Sequence, residues 1–255
     1  MLRVLLVGPL VWVMSVSPAH ADLAKGREKL NHGDYAEALR TLEATSGRQR
    51  FDAQLLKVEA LMRIGKLSRA ERLAKKLANA SGDRGIRGQI SYAELLRHTG
   101  RYAEAKRLLE PVVASNATKP RRARYVHAMI YRDMGQYDRS EKLFLPIDAQ
   151  YRDRSLDEKN PEQVFYLAES GRYLESFQFA NGFFNDARAL DKSFHQANIE
   201  QGHMLLHKYA AGDAEQSFDE VLKTDPNHPD AHAGLARVKL EQSYDLAAAT
   251  YHLDR

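Results

Sequence analysis

Two histidines have the spacing in this sequence that best suits a metal ion. His203 and His207 are four residues apart, and Glu200 precedes them by about one helical turn. On a helix this spacing places both imidazoles on one face, where they can bind Zn²⁺ or Ni²⁺. No third strong ligand follows at a fixed spacing, so the pair is a weak candidate and an ordinary helix face is the simpler interpretation. We therefore predict no metal and no other cofactor.

Other catalytic chemistry is scarce. The chain has 255 residues and no cysteine, which excludes a thiolate zinc site, an iron–sulfur centre and a cysteine nucleophile. The sequence also lacks a glycine-rich phosphate loop, the Gly-x-Ser-x-Gly elbow of hydrolases and the His-Glu-x-x-His zinc motif. We expect the protein not to be an enzyme, with a small metalloenzyme built on the histidine pair as a weaker alternative.

A short motif recurs along the chain and indicates the elements that position these residues. A glycine is usually followed two residues later by an aromatic residue and five residues later by Ala or Ser, most clearly from Gly100 to Ala105. The glycines that begin a copy are Gly33, Gly65, Gly100, Gly135, Gly171 and Gly212, and a seventh copy without glycine begins at Gln242. Amphipathic stretches of helical period flank each glycine. Each unit of about 34 residues is thus predicted to be a helix–turn–helix pair, with its glycine in the turn at positive φ.

The seven units resemble the tetratricopeptide repeat family over nearly the whole chain after Leu23. Asp225-Pro226-Asn227 is similar to the loop that closes many such repeats. The resemblance implies an all-α fold, a right-handed superhelical solenoid of about seven repeats, with the first helix of each pair lining a concave groove. It also implies a protein that binds a peptide or partner protein and has no intrinsic catalytic site.

Charge divides the predicted array into two halves. Residues 47–125 carry a net charge of +12 and residues 126–255 carry −8, although the whole chain has only +4. We assign residues 22–151 to repeats one to four, residues 152–160 to a charged loop or insertion, and residues 161–255 to repeats five to seven. A basic half followed by an acidic half predicts salt-sensitive binding and permits self-association.

The family's groove positions can be projected onto repeats two to four. With each turn glycine taken as the fifteenth residue of its repeat, positions 2, 5, 9, 12 and 13 face the groove. The projected residues that we single out as a partner-binding groove are Arg63, Arg87, Glu94, Arg97, His98, Arg122, Tyr125, Met129 and Arg132. One interpretation is a groove that holds an acidic segment or a C-terminal carboxylate, since guanidinium groups bind carboxylates bidentately. The other is that these arginines are solvated and paired with nearby Asp and Glu. No nucleic acid is expected, because no recognition motif accompanies the positive charge.

The first 21 residues have the layout of a secretory signal peptide. A positive start precedes an apolar run over residues 4–16, which is shorter than the ~20 residues that span a bilayer. Ala19-His20-Ala21 supplies a small-x-small cleavage pattern. We predict cleavage after Ala21 and a periplasmic protein without a transmembrane segment, which with the resemblance suggests an exported bacterial tetratricopeptide repeat protein.

Two functional hypotheses follow. The first is a non-catalytic periplasmic scaffold that binds a partner segment in its groove during envelope assembly, secretion or export. The alternative is the N-terminal docking arm of a longer exported protein, whose enzyme or outer-membrane domain would follow Arg255. The alternative rests on the seventh unit, which ends within its second helix and lacks the polar cap that terminal repeats need.

Overall fold

Paired helices make up the part of the chain that the structure describes. The computed structural model describes residues 18–115 and 121–255, with side chains from Asp22 onward. Within these ranges there are fourteen α-helices and no strand. The helices are α1 (Pro18–Asn31), α2 (Tyr35–Ala44), α3 (Arg50–Arg63), α4 (Leu67–Ala78), α5 (Gly82–His98), α6 (Tyr102–Ala114), α7 (Arg121–Asp133), α8 (Tyr137–Arg152), α9 (Pro161–Tyr173), α10 (Phe177–Leu190), α11 (His195–His207), α12 (Ala211–Leu222), α13 (Pro229–Val238) and α14 (Leu246–Leu253). The predicted all-α solenoid is confirmed, and the charged loop spans residues 153–160 between α8 and α9.

The helices form two layers with different neighbours. Every helix packs against the next one in the chain. The first helices of successive repeats also contact one another, from α1 with α3 through to α11 with α13. Successive second helices make no comparable contact within the described residues. Closer packing among first helices curves the array, so that α1, α3, α5, α7, α9, α11 and α13 form the inner layer and the even-numbered helices form the outer layer.

Four of the predicted turn glycines lie where the motif places them. Gly33, Gly65, Gly100 and Gly135 end the first helices of repeats one to four with φ of 77°, 68°, 74° and 71°. An L side chain rarely adopts this left-handed conformation, because its Cβ crowds the following carbonyl. The glycine therefore permits the tight reversal between the two helices of each repeat.

The other two turn assignments were wrong. Gly171 lies within α9 and Gly212 lies within α12, and neither has a positive φ. The positive φ in those turns belongs to Glu175 at 63° and Tyr209 at 60°, and in the seventh repeat it belongs to Tyr244 at 51°. In repeat five the turn therefore lies four residues after the predicted position, and in repeat seven it lies two residues after it. In repeat six the turn lies three residues before the predicted position.

Gly171 has a packing role instead of a turn role. A Cβ at Gly171 would lie 2.9 Å from Cδ1 of Phe179 and 3.3 Å from the backbone nitrogen of Ala180. The missing side chain thus allows α9 to approach α10 closely. In the shifted register Phe177 and Ala180 supply the aromatic and the small residue of the repeat motif.

Large apolar side chains fill the space between the layers. Phe144, Phe184 and Phe218 come from the second helices of repeats four to six and are completely buried. Phe218 fits between two glycines of the inner layer, since a Cβ at Gly202 or Gly234 would lie 2.6 Å or less from its ring. The core therefore runs along the array without a separate second domain in the described residues.

The array curls until its first repeat contacts the loop between α12 and α13. The hydroxyl of Tyr35 donates to Oδ2 of Asp225 at 2.8 Å, and Nη1 of Arg63 lies 3.3 Å from the same oxygen. Nε2 of His195 lies 2.8 Å from the carbonyl oxygen of Asn31, so a second contact supports the first. We call Tyr35, Arg63 and Asp225 the clasp. It joins the basic and acidic halves within one chain.

The predicted signal peptide falls mostly outside the described residues. Residues 1–17 are not described, and α1 begins at Pro18. Among the described helices, none has the length and hydropathy required to cross a membrane.

Candidate functional site: the inner wall

Two of the projected groove arginines form ion pairs between neighbouring repeats. Nε of Arg97 lies 2.6 Å from Oδ2 of Asp133. Arg122 binds both carboxylate oxygens of Glu94, with Nε and Nη2 each at 2.8 Å. The bidentate geometry matches two N–H donors of the planar guanidinium to the two carboxylate oxygens. These arginines therefore link one repeat to the next along the inner layer.

Two further groove arginines are also paired. Arg87 forms an ion pair with Asp52 of the preceding repeat. Arg63 lies 2.8 Å from Glu59 on its own helix, in addition to its clasp contact with Asp225. The structure thus favours internal pairing over free cations for these positions as well.

The apolar members of the projected groove are not accessible. Tyr125 and Met129 are 9% and 6% exposed. The ring of Tyr125 packs edge-on against Phe165 at 5.5 Å between centroids and lies 5.2 Å from Tyr166. His98, by contrast, is exposed at the end of α5. Tyr125 and Met129 therefore support the inner wall and offer little surface to a partner.

Arg132 differs from the other groove arginines. Its guanidinium carbon lies 4.0 Å from the ring centroid of Tyr173 and 4.9 Å from that of Tyr137. Among the described residues no carboxylate forms an ion pair with it. Stacking on two rings holds the planar group in place and leaves its N–H donors unmatched by an acid. Arg132 is therefore a positioned cation with capacity for an anion.

The corrected register shows that Arg132 belongs to a series. Arg97, Arg132 and Arg172 each lie three residues before the positive-φ residue of their turn. Each one contacts the first helix of the following repeat, and the partners are Asp133, Tyr173 and Glu200. The sequence register missed Arg172 because Gly171 was taken as the turn. The aromatic residue Phe177 and the small residue Ala180 were the signal that could have corrected it.

A buried acidic pair lies beside Arg172. Its Nη1 is 3.1 Å from Oε1 of Glu169 and 2.9 Å from Oε2 of Glu200. Burial raises the pKa of Glu169 to about 7 against the opposing effect of Arg172, and the charge of Glu200 raises it further. Burial also acts to raise the pKa of Glu200, but Arg172 and His203 hold it below its usual value. One arginine thus compensates two carboxylates, and the Glu169 oxygen Oε2 has no hydrogen-bond partner among the described protein atoms.

The candidate metal pair is not brought together with further ligands. The ring of His203 packs against Phe218 at 5.2 Å, and burial lowers the pKa of this histidine. His207 is exposed. In residues 18–115 and 121–255, no group of three or more His, Asp or Glu side chains has the arrangement of a metal site. His203 is therefore part of the wall near Glu200.

A second histidine pair, which sequence reasoning missed, holds the last helix. Nδ1 of His232 lies 3.1 Å from Nδ1 of His252, and Nε2 of His232 lies 2.9 Å from the carbonyl oxygen of Pro226. In this arrangement one ring nitrogen can donate a hydrogen bond to the other. The two residues are 20 positions apart, and no local spacing motif marks them.

Comparison with known sequences identifies one family. The family model for the tetratricopeptide repeat matches residues 23–84, which cover the first two repeats of the structure. No match was found among the curated proteins.

Solved structures share the fold over most of the chain. A tetratricopeptide repeat protein from Parabacteroides merdae is 15% identical with a TM-score of 0.51, and the match covers 92% of this chain and 90% of that one. A thermophilic protein of this type in Thermus thermophilus is 17% identical with a TM-score of 0.51, over 66% of this chain and 87% of that one. A chain of the APC/C hetero-tetramer Cut9–Hcn1 is 16% identical with a TM-score of 0.51, over 96% of this chain and 49% of that one. The family model thus matches the first two repeats, and the solved structures show the same fold along the array.

Proposed function

We propose that the protein is a periplasmic scaffold that binds an acidic segment of a partner protein at the inner wall, with Arg132 as the anchor. Tetratricopeptide repeat folds are protein-interaction scaffolds, and the family is generally non-catalytic. The predicted signal peptide supports the periplasmic location and a role in envelope assembly, secretion or export.

The observation that carries this proposal is the unmatched charge of Arg132. Arg63, Arg87, Arg97 and Arg122 each have an acidic partner within the chain. A ligand carboxylate would have to displace those partners, whereas Arg132 is free of any carboxylate in the described residues. Its fixed guanidinium can donate two parallel N–H···O bonds to a carboxylate at little entropic cost. Of the arginines projected onto the groove, Arg132 is therefore the one that we propose as the anchor for a partner.

A peptide selection tests the proposal. A random peptide library is selected on the purified protein, and the enriched peptides are measured against Arg132→Ala and against a control, Arg139→Ala, on the outer helix α8. We expect the enriched peptides to contain Asp, Glu or a required C-terminal carboxylate. Loss of one charge-assisted pair should weaken their binding by about tenfold or more in Arg132→Ala.

Two results would reject the anchor. One is enrichment of peptides without a common acidic group, and the other is equal affinity for the wild type and Arg132→Ala. Arg139 is exposed and stacks on Tyr131 at 5.7 Å, so its replacement reports any general effect of losing one positive charge.

A further inference from the structure

The outer face of α4 carries a stripe of unpaired positive charge. Its five basic residues are all exposed, and none forms an ion pair within the described part of the chain. They are Lys66, just before the helix, and Arg69, Arg72, Lys75 and Lys76. The one acid on this helix, Glu71, is bound by Arg101 of the next repeat. The stripe is about 15 Å long at the usual rise of 1.5 Å per residue.

The fold itself does not require this stripe. Counted from the positive-φ residue of each turn, the five cations occupy positions 1, 4, 7, 10 and 11. The equivalent positions of α6 hold two arginines, two glutamates and a proline, and those of α2 hold one arginine, one aspartate, two glutamates and an alanine. Every second helix packs between the first helix of its own repeat and that of the next, yet only α4 among these three carries uniform charge, which points to a contact outside the repeat.

The outer helix α12 has the opposite charge at three of the same positions. Asp213, Asp219 and Glu220 stand at positions 4, 10 and 11, where α4 has Arg69, Lys75 and Lys76. Asp213 and Asp219 are exposed and have no ion pair among the described residues, and Glu220 pairs only with Lys223 on its own helix turn. On both helices position 4 is separated from positions 10 and 11 by six and seven residues, which is about 10 Å along the axis. The opposite charges can therefore face each other whether the two helices run parallel or antiparallel.

We propose that the outer face of α4 docks on the outer face of α12 in a second copy of this chain. Within one chain α4 packs against α3 and α5, and α12 packs against α11 and α13, so the two outer faces do not pack on each other among the described residues. Charge complementarity between equivalent positions therefore selects another copy as the occupant. This contact is independent of the anchor at Arg132, which lies on the inner layer.

Charge reversal tests the contact through two complementary variants. One variant reverses α4 with Arg69→Glu and Lys76→Glu, and the other reverses α12 with Asp213→Lys and Asp219→Lys. Sedimentation velocity over a concentration series at low salt measures association. We expect the wild type to associate, each variant alone to associate at least about tenfold more weakly, and the equimolar mixture to recover association through the unaltered face of each variant. Near 1 M salt, where the Debye length is about 3 Å, the wild-type association should be lost.

A matched control excludes a general charge effect. Arg139→Glu with Lys142→Glu makes the same change of charge at positions 4 and 7 of the outer helix α8, and this variant should associate as the wild type does. Circular dichroism confirms that each variant is folded. A monomeric wild type at low salt would overturn the proposal, as would variants that fail to recover association when mixed. Binding of the monomeric wild type to anionic phosphatidylglycerol vesicles, lost in the α4 variant, would assign the stripe to a lipid surface instead.

Discussion

The clasp allows a double-mutant cycle whose outcome can be estimated from its geometry. Tyr35→Phe removes the hydroxyl that donates to Asp225 at 2.8 Å and keeps the ring, which is 7% exposed. A hydrogen bond to a charged group contributes about 1.5–3 kcal/mol. After the hydroxyl is removed, the carboxylate of Asp225 cannot readily find another donor. It is completely buried, and its second partner Arg63 is 3.3 Å away. We expect Tyr35→Phe to lower the free energy of unfolding by about 2 kcal/mol.

The second arm of the cycle is Asp225→Asn. It removes the charge that faces Arg63 but leaves Arg63 its other partner, Glu59, at 2.8 Å. We expect a loss of about 2–3 kcal/mol, since one partner of a buried ion pair is left with weaker compensation. The two changes remove the same hydrogen bond, which the double variant can lose only once. Its loss of unfolding free energy should therefore be about 1–2 kcal/mol smaller than the sum of the two single losses.

Urea denaturation followed by circular dichroism gives the four free energies. The matched control is Tyr137→Phe, which lies at the same position of repeat four, is 54% exposed and has no hydrogen bond among the described residues. We expect this control to change stability by less than about 0.5 kcal/mol. Strictly additive losses in the cycle, or equal effects of Tyr35→Phe and Tyr137→Phe, would refute the idea that the clasp joins the two halves in solution.

Three further predictions concern the corrected register and the buried titratable groups. In urea denaturation, Gly171→Ala should lower the free energy of unfolding by about 1–3 kcal/mol, because its Cβ would lie 2.9 Å from Phe179. Gly212→Ala has open space around it and should raise the free energy of unfolding by up to about 1 kcal/mol. The reverse order would support the original turn assignment. The raised pKa of Glu169 means that its contribution to stability is complete below its ordinary value of 4.5 and is lost as pH rises through about 7, so Glu169→Gln should flatten the fall in Tm between these values. Burial lowers the pKa of His127 to about 4, so its contribution is complete above 6.5 and is lost as pH falls through 4; His127→Leu should reduce acid sensitivity in that window, and an unchanged Tm profile would contradict the assignment.

The turn chemistry explains how much of the fold could be predicted. Glycine at positive φ is a local requirement with a local signal, and it locates repeats one to four. Glu175 and Tyr209 adopt the same conformation at a cost of about 1–2 kcal/mol each, which packing of the flanking helices must offset. No residue type predicts such a turn from the sequence. Gly171 and Gly212 lie close to these turns and were therefore assigned to them instead. Tertiary packing therefore decided the register in repeats five to seven.

The sequence predicted which helices carry the candidate site, but not which of its charged residues pair with one another. The projected positions do lie on first helices, which follows from the helical period and the repeat length. Arg87, Arg97 and Arg122 pair with acids of a neighbouring repeat, such as Asp133 for Arg97 at a separation of 36 residues, and a periodic pattern does not say which of these residues pair. The partner of Tyr35 is 190 residues away, which no periodic pattern encodes. The neutralisation of the groove is thus a property of the assembled array.

The separation of 190 residues within the clasp also sets an order of events in time. Synthesis adds about 5–20 residues per second, so Tyr35 is made about 10–40 s before the carboxylate that it binds. During that interval neighbouring repeats can stack, because their contacts are local, but the array has no means to close. Closure is therefore expected as a late and distinct folding step, slowed by the long chain segment that must first be ordered between the two contact points.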